Sequence, residues 1–298
     1  MLSVGILGST GMLGSALSRQ LHDDGFQVFE FNRSGISVLD GRRIEILDIS
    51  EETTAENLEV LDVCDFILNS AGYIRQLIDE DDIDSIQKAH QLNSYFPQLL
   101  NDYSVSKGKP VIQIGTDCLF SGREGGYSEN SEFEYTDLYS FTKLVGEILS
   151  PNAMTLRTSV IGRELNTKNS LMEWVLSQPQ KAAIKGYTNH IWNGVTTKHF
   201  SKVVSGVLKS ESFKEGVFHL VPSDTISKFE LVSLISTLFG RDDLEIIPTK
   251  TIESINRVLT TSNPEANSKL WSDAGFDQVL TIPKMLQEYA ETNPFSNE

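Results

Sequence analysis

Tyr139 and Lys143 stand four residues apart in Tyr139-Ser140-Phe141-Thr142-Lys143. On a helix that spacing puts both side chains on one face, where an ammonium can approach a phenol. The ammonium is then expected to lower the phenol pKa from its ordinary value of about 10, so that a proton can pass to or from a ligand oxygen near neutrality. The pattern recurs at Tyr103 and Lys107, so spacing alone does not decide which copy does chemistry. Position separates them. Tyr139 follows a strand expected over 110–114 and the segment Gly115-Thr116-Asp117-Cys118-Leu119-Phe120-Ser121-Gly122, and it opens an amphipathic helix expected to run through Leu149. Tyr103 sits at the end of a helix expected over 82–103, with no such strand before it, and reads as structural.

The elements that must position this pair begin at the N-terminus. Val4-Gly5-Ile6-Leu7 reads as a buried strand that turns through Gly8, Gly11 and Gly14 into a helix, with a second strand at Gln27 to Phe31. Glycines so spaced permit a tight turn, admit a pyrophosphate without a Cβ in the way, and leave helix N-terminal N–H groups aimed at negative charge. Gly8, Thr10, Gly11, Met12 and Leu13 are the candidate dinucleotide cradle. After the second strand, Asn32-Arg33-Ser34 offers a cation and a hydroxyl donor suited to a ribose 2′-phosphate, which favours NADPH over NADH. A third strand is expected over 44–47, ending at Asp48 and Ile49, and a fourth over 65–68, closed by the small residues Ser70, Ala71 and Gly72. Ligands of open α/β sheets sit at such strand ends, so Tyr73 and Arg75, which follow at once, are candidate substrate contacts. With a dinucleotide in that cradle, Lys143 is also placed to hydrogen-bond the nicotinamide ribose.

The chain of 298 residues carries a formal charge of -16, which argues against nucleic acid or an anionic membrane as its partner. No apolar run reaches the length of a membrane span, and the chain opens directly into a strand without a basic leader, so a cytoplasmic location is expected. Cys64 and Cys118 have no CxxC partner or His-rich surroundings, and His219 alternates with apolar neighbours; all three read as core residues. The acidic run Asp79 to Asp84 suits a helix N-terminus. Neither a hydrolase nucleophile turn, a zincin motif nor a Walker lysine is present.

The Gly-x-x-Gly-x-x-Gly variant resembles the extended short-chain dehydrogenase/reductase family. The strand followed by Thr116-Asp117-Cys118-Leu119-Phe120-Ser121-Gly122 is similar to the Thr-Asp-x-x-Phe-x-Gly motif of its dTDP-4-dehydrorhamnose reductase branch. The resemblance implies an α/β fold with a Rossmann-type doubly wound parallel sheet, residues 1–160 and 193–221, and a smaller α/β substrate-binding lobe, residues 161–192 and 222–298. It implies reduction of a nucleotide-linked 4-keto-6-deoxy sugar by NADPH, with Thr116, Tyr139 and Lys143 catalytic and Thr116 and Asp117 near the sugar. Asp48 and Ile49 would lie by the adenine, Ser70 to Gly72 along the cofactor, and Asn93 would hold the active-site backbone and water. Trp192 and Asn193 are expected to meet a sugar or base, with packing of the lobe as the other reading of Trp192.

Three departures qualify the match. Ser140 stands where the family has Gly after the Tyr, Cys118 replaces an aromatic residue, and Ala16 occupies the position of a glutamate that takes part in a magnesium-linked dimer. No metal is therefore expected, and a homodimer stays open. Two other readings share this architecture: an NAD-dependent sugar-nucleotide epimerase or dehydratase, and a non-catalytic NADP-binding regulatory subunit like that of methionine adenosyltransferase.

Overall fold

The computed structural model describes residues 1–40, 44, 46–49, 53–165 and 167–292. In chain order the elements are β1 (Ser3–Leu7), α1 (Met12–Asp23), β2 (Gln27–Phe31), β3 (Phe66–Asn69), α2 (Ile83–His90), α3 (Phe96–Lys107), β4 (Val111–Ile114), α4 (Leu138–Val145) and β5 (Ala153–Arg157). There follow β6 (Val160–Ile161), α5 (Leu171–Leu176), β7 (Ala183–Tyr187), β8 (His190–Trp192), β9 (Val195–Thr196), α6 (Thr197–Lys209) and β10 (Gly216–His219). The chain closes with β11 (Ile226–Ser227), α7 (Lys228–Leu238), β12 (Glu245–Thr249), β13 (Ile255–Asn256), α8 (Pro264–Asp273) and α9 (Ile282–Glu291).

β1 is buried along its whole length because a parallel strand is covered on both faces. Its alternating side chains feed two cores. Val4 and Ile6 join one that runs through Phe200, Leu231, Trp271 and Tyr289, while Leu7 joins Phe31, Ile67, Phe96 and Leu100 in the other. The main sheet has the order β10-β5-β4-β3-β1-β2, and every pair is parallel. From β1 the chain steps outward to β2 and then returns to β3, so the strand order reverses at β1/β3 and opens a ligand crevice at the carboxyl ends. This is the expected doubly wound Rossmann architecture. Small sheets β11-β8-β13 and β12-β7, packed with α7, build the lobe. The first core runs without a break from the main sheet into α7.

Four elements differ from expectation. Of the strand expected over 44–47, Glu45 lies outside the described residues, and Ile46 forms only an isolated parallel bridge with Asn32 at the exposed sheet edge. The helix expected over 82–103 is broken into α2 and α3 by a π turn at Gln91–Tyr95. Pro97 explains the break: it has no N–H to give the Asn93 carbonyl, and Gly146 packs onto that freed oxygen so closely that an added Cβ would lie 1.7 Å from it. The same contact ends α4 at Val145, short of Leu149. In the tail expected to complete the lobe over 244–298, α8 packs on α6 beside the main sheet, and residues 293–298 lie outside the described residues.

Candidate active site

β4 delivers the chain to Gly115 and Thr116. Gly115 is required there because the Arg157 side chain passes 2.8 Å from where a Cβ would stand. Thr116 is buried and caps a short turn at Asp117–Leu119, its Oγ1 accepting from the Cys118 N–H at 3.2 Å. Across the cleft, α4 begins in a capping box: the Asp137 carboxylate accepts from Ser140 N at 2.8 Å, and Asp137 N donates back to Ser140 Oγ at 3.1 Å. The family's glycine at this position cannot supply that hydroxyl, so Ser140 strengthens the start of the helix that carries Tyr139. Arg75 Nη2 reaches Asp137 at 2.6 Å, and Arg75, Ile78, Glu80, Asp137 and Tyr139 line a cavity of about 160 Å³ at the mouth.

The Thr116 side chain lies close enough to the Tyr139 phenol to act on its ionisation, which brings two of the three expected catalytic groups together. Lys143, one turn on, donates from Nζ to the Ile114 carbonyl at 3.1 Å, so all three groups meet at the carboxyl end of β4. Burial pushes the Tyr139 phenol above its ordinary value, and the neighbouring Thr116 side chain only partly opposes this. The expected lowering by Lys143 is thus not what the structure shows: burial dominates, and the ammonium is turned to a backbone carbonyl. Burial also lowers Lys143 to about 8, with the nearby Glu147 carboxylate opposing the shift.

The glycine turn fits a dinucleotide. α1 starts at Gly11 with no side-chain cap, leaving its first N–H groups without the usual hydroxyl or carboxylate. The three glycines divide the labour. Gly8 has φ +75° and lies against the Ala71 backbone; at Gly14 a Cβ would stand 2.2 Å from the Gly8 carbonyl; at Gly11 it would meet only that carbonyl, at 3.2 Å. Gly8 and Gly14 hold the turn together, and Gly11 faces open space where a phosphate can approach. Thr10 lies in the turn, Met12 and Leu13 open α1, and Leu13 is buried in the first core. Ser70 locks it from β3, its Oγ donating to the Leu7 carbonyl at 2.7 Å, with Ala71 and Gly72 alongside.

Asn32 is buried, and its amide is spent on the following loop: it donates to Ser9 Oγ at 2.7 Å and accepts from Ser34 Oγ at 2.8 Å and Gly35 N at 2.9 Å. That leaves Arg33, which is exposed, as the group of this trio free to turn to a ligand. Sequence reading missed Glu30, the carboxylate of β2, which is buried and accepts from Ser37 Oγ and Val38 N. Asp48 is half-buried and Ile49 buried, both beyond the Ile46 bridge.

Asn93 lies in the π turn, a local geometry common at functional sites. Its amide accepts from Tyr73 N at 2.8 Å and donates to Tyr73 O at 2.9 Å and to Thr142 Oγ1 at 3.2 Å. It therefore ties the loop after β3 to α4. On the lobe side, Trp192 donates from Nε1 to Ser159 Oγ at 2.8 Å and presents its ring to Lys228, whose Nζ is 4.9 Å from the ring centre. Asn193 exchanges two hydrogen bonds with the Leu259 backbone, at 2.8 and 2.9 Å, and so serves the lobe's frame. Asp117 is buried and raised in pKa by that burial, against the pull of Arg257 and Lys228. Neither of these two cations was singled out from the sequence. The second Tyr-Lys pair is structural as expected: Tyr103 Oη at 2.6 Å and Lys107 Nζ at 2.9 Å both bond Asp62. His219 is a core residue, facing the Thr260 carbonyl at 2.7 Å.

The family model described as RmlD substrate binding domain matches residues 2–290. The chain belongs to that family. Among curated relatives of this RmlD-family chain, the spore coat polysaccharide biosynthesis protein SpsK of Bacillus subtilis is 23% identical over 242 residues, 79% of this chain and 78% of that protein. The methionine adenosyltransferase 2 subunit beta of Danio rerio is 26% identical over 152 residues, 47% of either chain. A crystal structure of dTDP-4-dehydrorhamnose reductase from Bacillus anthracis in complex with NADP has TM-score 0.76 and 17% identity, covering 98% of this chain and 100% of that one. At that identity the likeness establishes the shared fold of the RmlD-family chain.

Proposed function

We propose that this chain is an NADPH-dependent reductase of a nucleotide-linked 4-keto-6-deoxy sugar, serving deoxysugar or surface polysaccharide biosynthesis. The observation that carries the reading is the meeting of Thr116, Tyr139 and Lys143 at the end of β4, in the same crevice as the α1 glycine turn. The bound NADP of the B. anthracis relative and the polysaccharide role in the name of SpsK support it.

NADPH, when bound, supplies the hydride. The chain's own groups do the rest. Thr116, oriented by the Cys118 N–H, donates its hydroxyl hydrogen toward the sugar carbonyl oxygen, and Tyr139, kept protonated by burial, delivers the proton that completes the alcohol. The Lys143 ammonium offsets the negative charge that develops on Tyr139 as the phenolate forms, and Asn93 keeps α4 in register with the loop after β3. Binding of the nucleotide handle away from the carbonyl supplies positioning energy to the reacting centre.

Arg33 is the 2′-phosphate contact in this reading. Arg33→Ala is expected to raise KM for NADPH roughly tenfold to a hundredfold, the worth of a charge-assisted hydrogen bond, and to leave KM for NADH unchanged in steady-state kinetics. Equal effects on both cofactors would remove Arg33 from that role.

The methionine adenosyltransferase relative favours one second reading, a regulatory subunit. NADPH deuterated at the transferred position discriminates among the readings. A reductase places the label on the sugar's reduced carbon and consumes one NADPH per product; an epimerase forms product without net NADPH loss; a regulatory subunit forms none and binds a partner enzyme stoichiometrically.

A further inference from the structure

Lys228 is in an unfavourable place for a lysine. It is the first residue of α7, directly after the Ser227 cap, where the helix dipole disfavours a cation. It is also drawn into the cleft, with its Nζ over the Trp192 ring and burial lowering it to about 8. Among the described residues no carboxylate, hydroxyl or carbonyl accepts from its Nζ, although Asp117 and Cys118, the two residues after Thr116, are close enough to act on its charge. Arg257, the neighbouring cation, has donors already in use, on the Phe120 carbonyl at 2.9 Å and on Thr136 Oγ1 at 3.4 Å. In a chain of net charge -16, the cleft beside Thr116 thus keeps two cations against one buried carboxylate. A cation drawn into a cleft at a helix N-terminus, with no hydrogen-bond acceptor among the described residues, points to a ligand.

We propose that Lys228 is the anion receptor of the substrate cleft, its ammonium held on the face of Trp192 to take an anionic oxygen of the sugar nucleotide. The chemistry fits a phosphate oxygen of the diphosphate handle or a carboxylate on the sugar. The proposal rests on the sugar-nucleotide reading above. It makes Lys228 a specificity-determining residue separate from the proton-transfer groups.

Calorimetric titration of the full chain saturated with NADPH tests this, using UDP, dTDP, UDP-glucose and UDP-glucuronic acid as probes on wild type, Lys228→Met and Lys228→Arg. If the handle is the source, Lys228→Met weakens all four ligands by about tenfold to a hundredfold, as for loss of a charge-assisted hydrogen bond. If the sugar carboxylate is the source, the substitution abolishes a preference of the wild type for UDP-glucuronic acid over UDP-glucose and leaves UDP and dTDP unchanged. In either case Lys228→Arg retains most of the affinity, and NADPH affinity, which reports intact folding, is the same in all three proteins. The proposal is overturned if Lys228→Met binds every probe as the wild type does, or if the wild type binds none of them. Lys228-dependent binding with no reductase turnover would instead leave it standing and remove the reductase reading.

Discussion

Tyr139→Phe is expected to lower turnover by roughly a hundredfold or more while leaving cofactor affinity unchanged, because it removes the proton donor and little else. The phenol lies beside Thr116 and sits on a helix whose start is secured by the Asp137–Ser140 box, so deletion of one oxygen does not disturb the backbone that carries it. The effect should fall on kcat, since the bond matters most as the carbonyl oxygen gains charge. The pH profile gives a second readout. Burial holds the phenol protonated beyond the ordinary tyrosine range, whereas Lys143 is lowered to about 8. Wild-type turnover should therefore decline as pH rises through about 8, where the ammonium loses its proton, and a Lys143→Arg variant should not show that decline. A flat profile for wild type would separate Lys143 from the chemistry.

Glu147→Ala is expected to destabilise the fold by about 3–5 kcal/mol, the cost of leaving a buried charge without its partner. Glu147 and Arg157 form two parallel hydrogen bonds, Nε to Oε1 at 2.7 Å and Nη2 to Oε2 at 2.6 Å, and their side chains are only 5% and 3% exposed. Arg157 is further held between the Phe133 ring, 4.9 Å from its guanidinium carbon, and His219. The pair lies behind the site: Arg157 passes Gly115, and the Glu147 charge favours the Lys143 ammonium. Denaturant midpoints at constant slope measure the loss, and Glu147→Gln should lose less because its carbonyl oxygen still accepts one bond. A loss below about 1 kcal/mol for Glu147→Ala would mean that the guanidinium finds water or another acceptor.

What was legible in the sequence follows the range of the interaction. The glycine turn and Tyr139 with Lys143 are encoded by spacing within one helix turn or one strand–helix junction, and they appear where spacing put them. Ser140, read as a departure from the family, proves to be half of the capping box. The π turn was hidden because it depends on Pro97 and on the approach of Gly146, distant in sequence and meeting only after folding. Amide side chains were hardest to assign. Asn32, Asn93 and Asn193 look alike in sequence, yet Asn32 closes a loop, Asn93 joins two walls of the site, and Asn193 pins the Leu259 backbone. Lys228 carried a faint local signal, a cation at a helix N-terminus, whose meaning depends on Trp192 and Asp117 lying nearby.

The most direct test of the central claim is loss of NADPH absorbance when the purified chain meets dTDP-, UDP-, GDP- and CDP-linked 4-keto-6-deoxy sugars. The account predicts turnover with one of these nucleotides, with sugar product formed in equal amount to NADPH consumed and the rate lost in Tyr139→Phe. Clear NADPH binding with no turnover on any of them would contradict it.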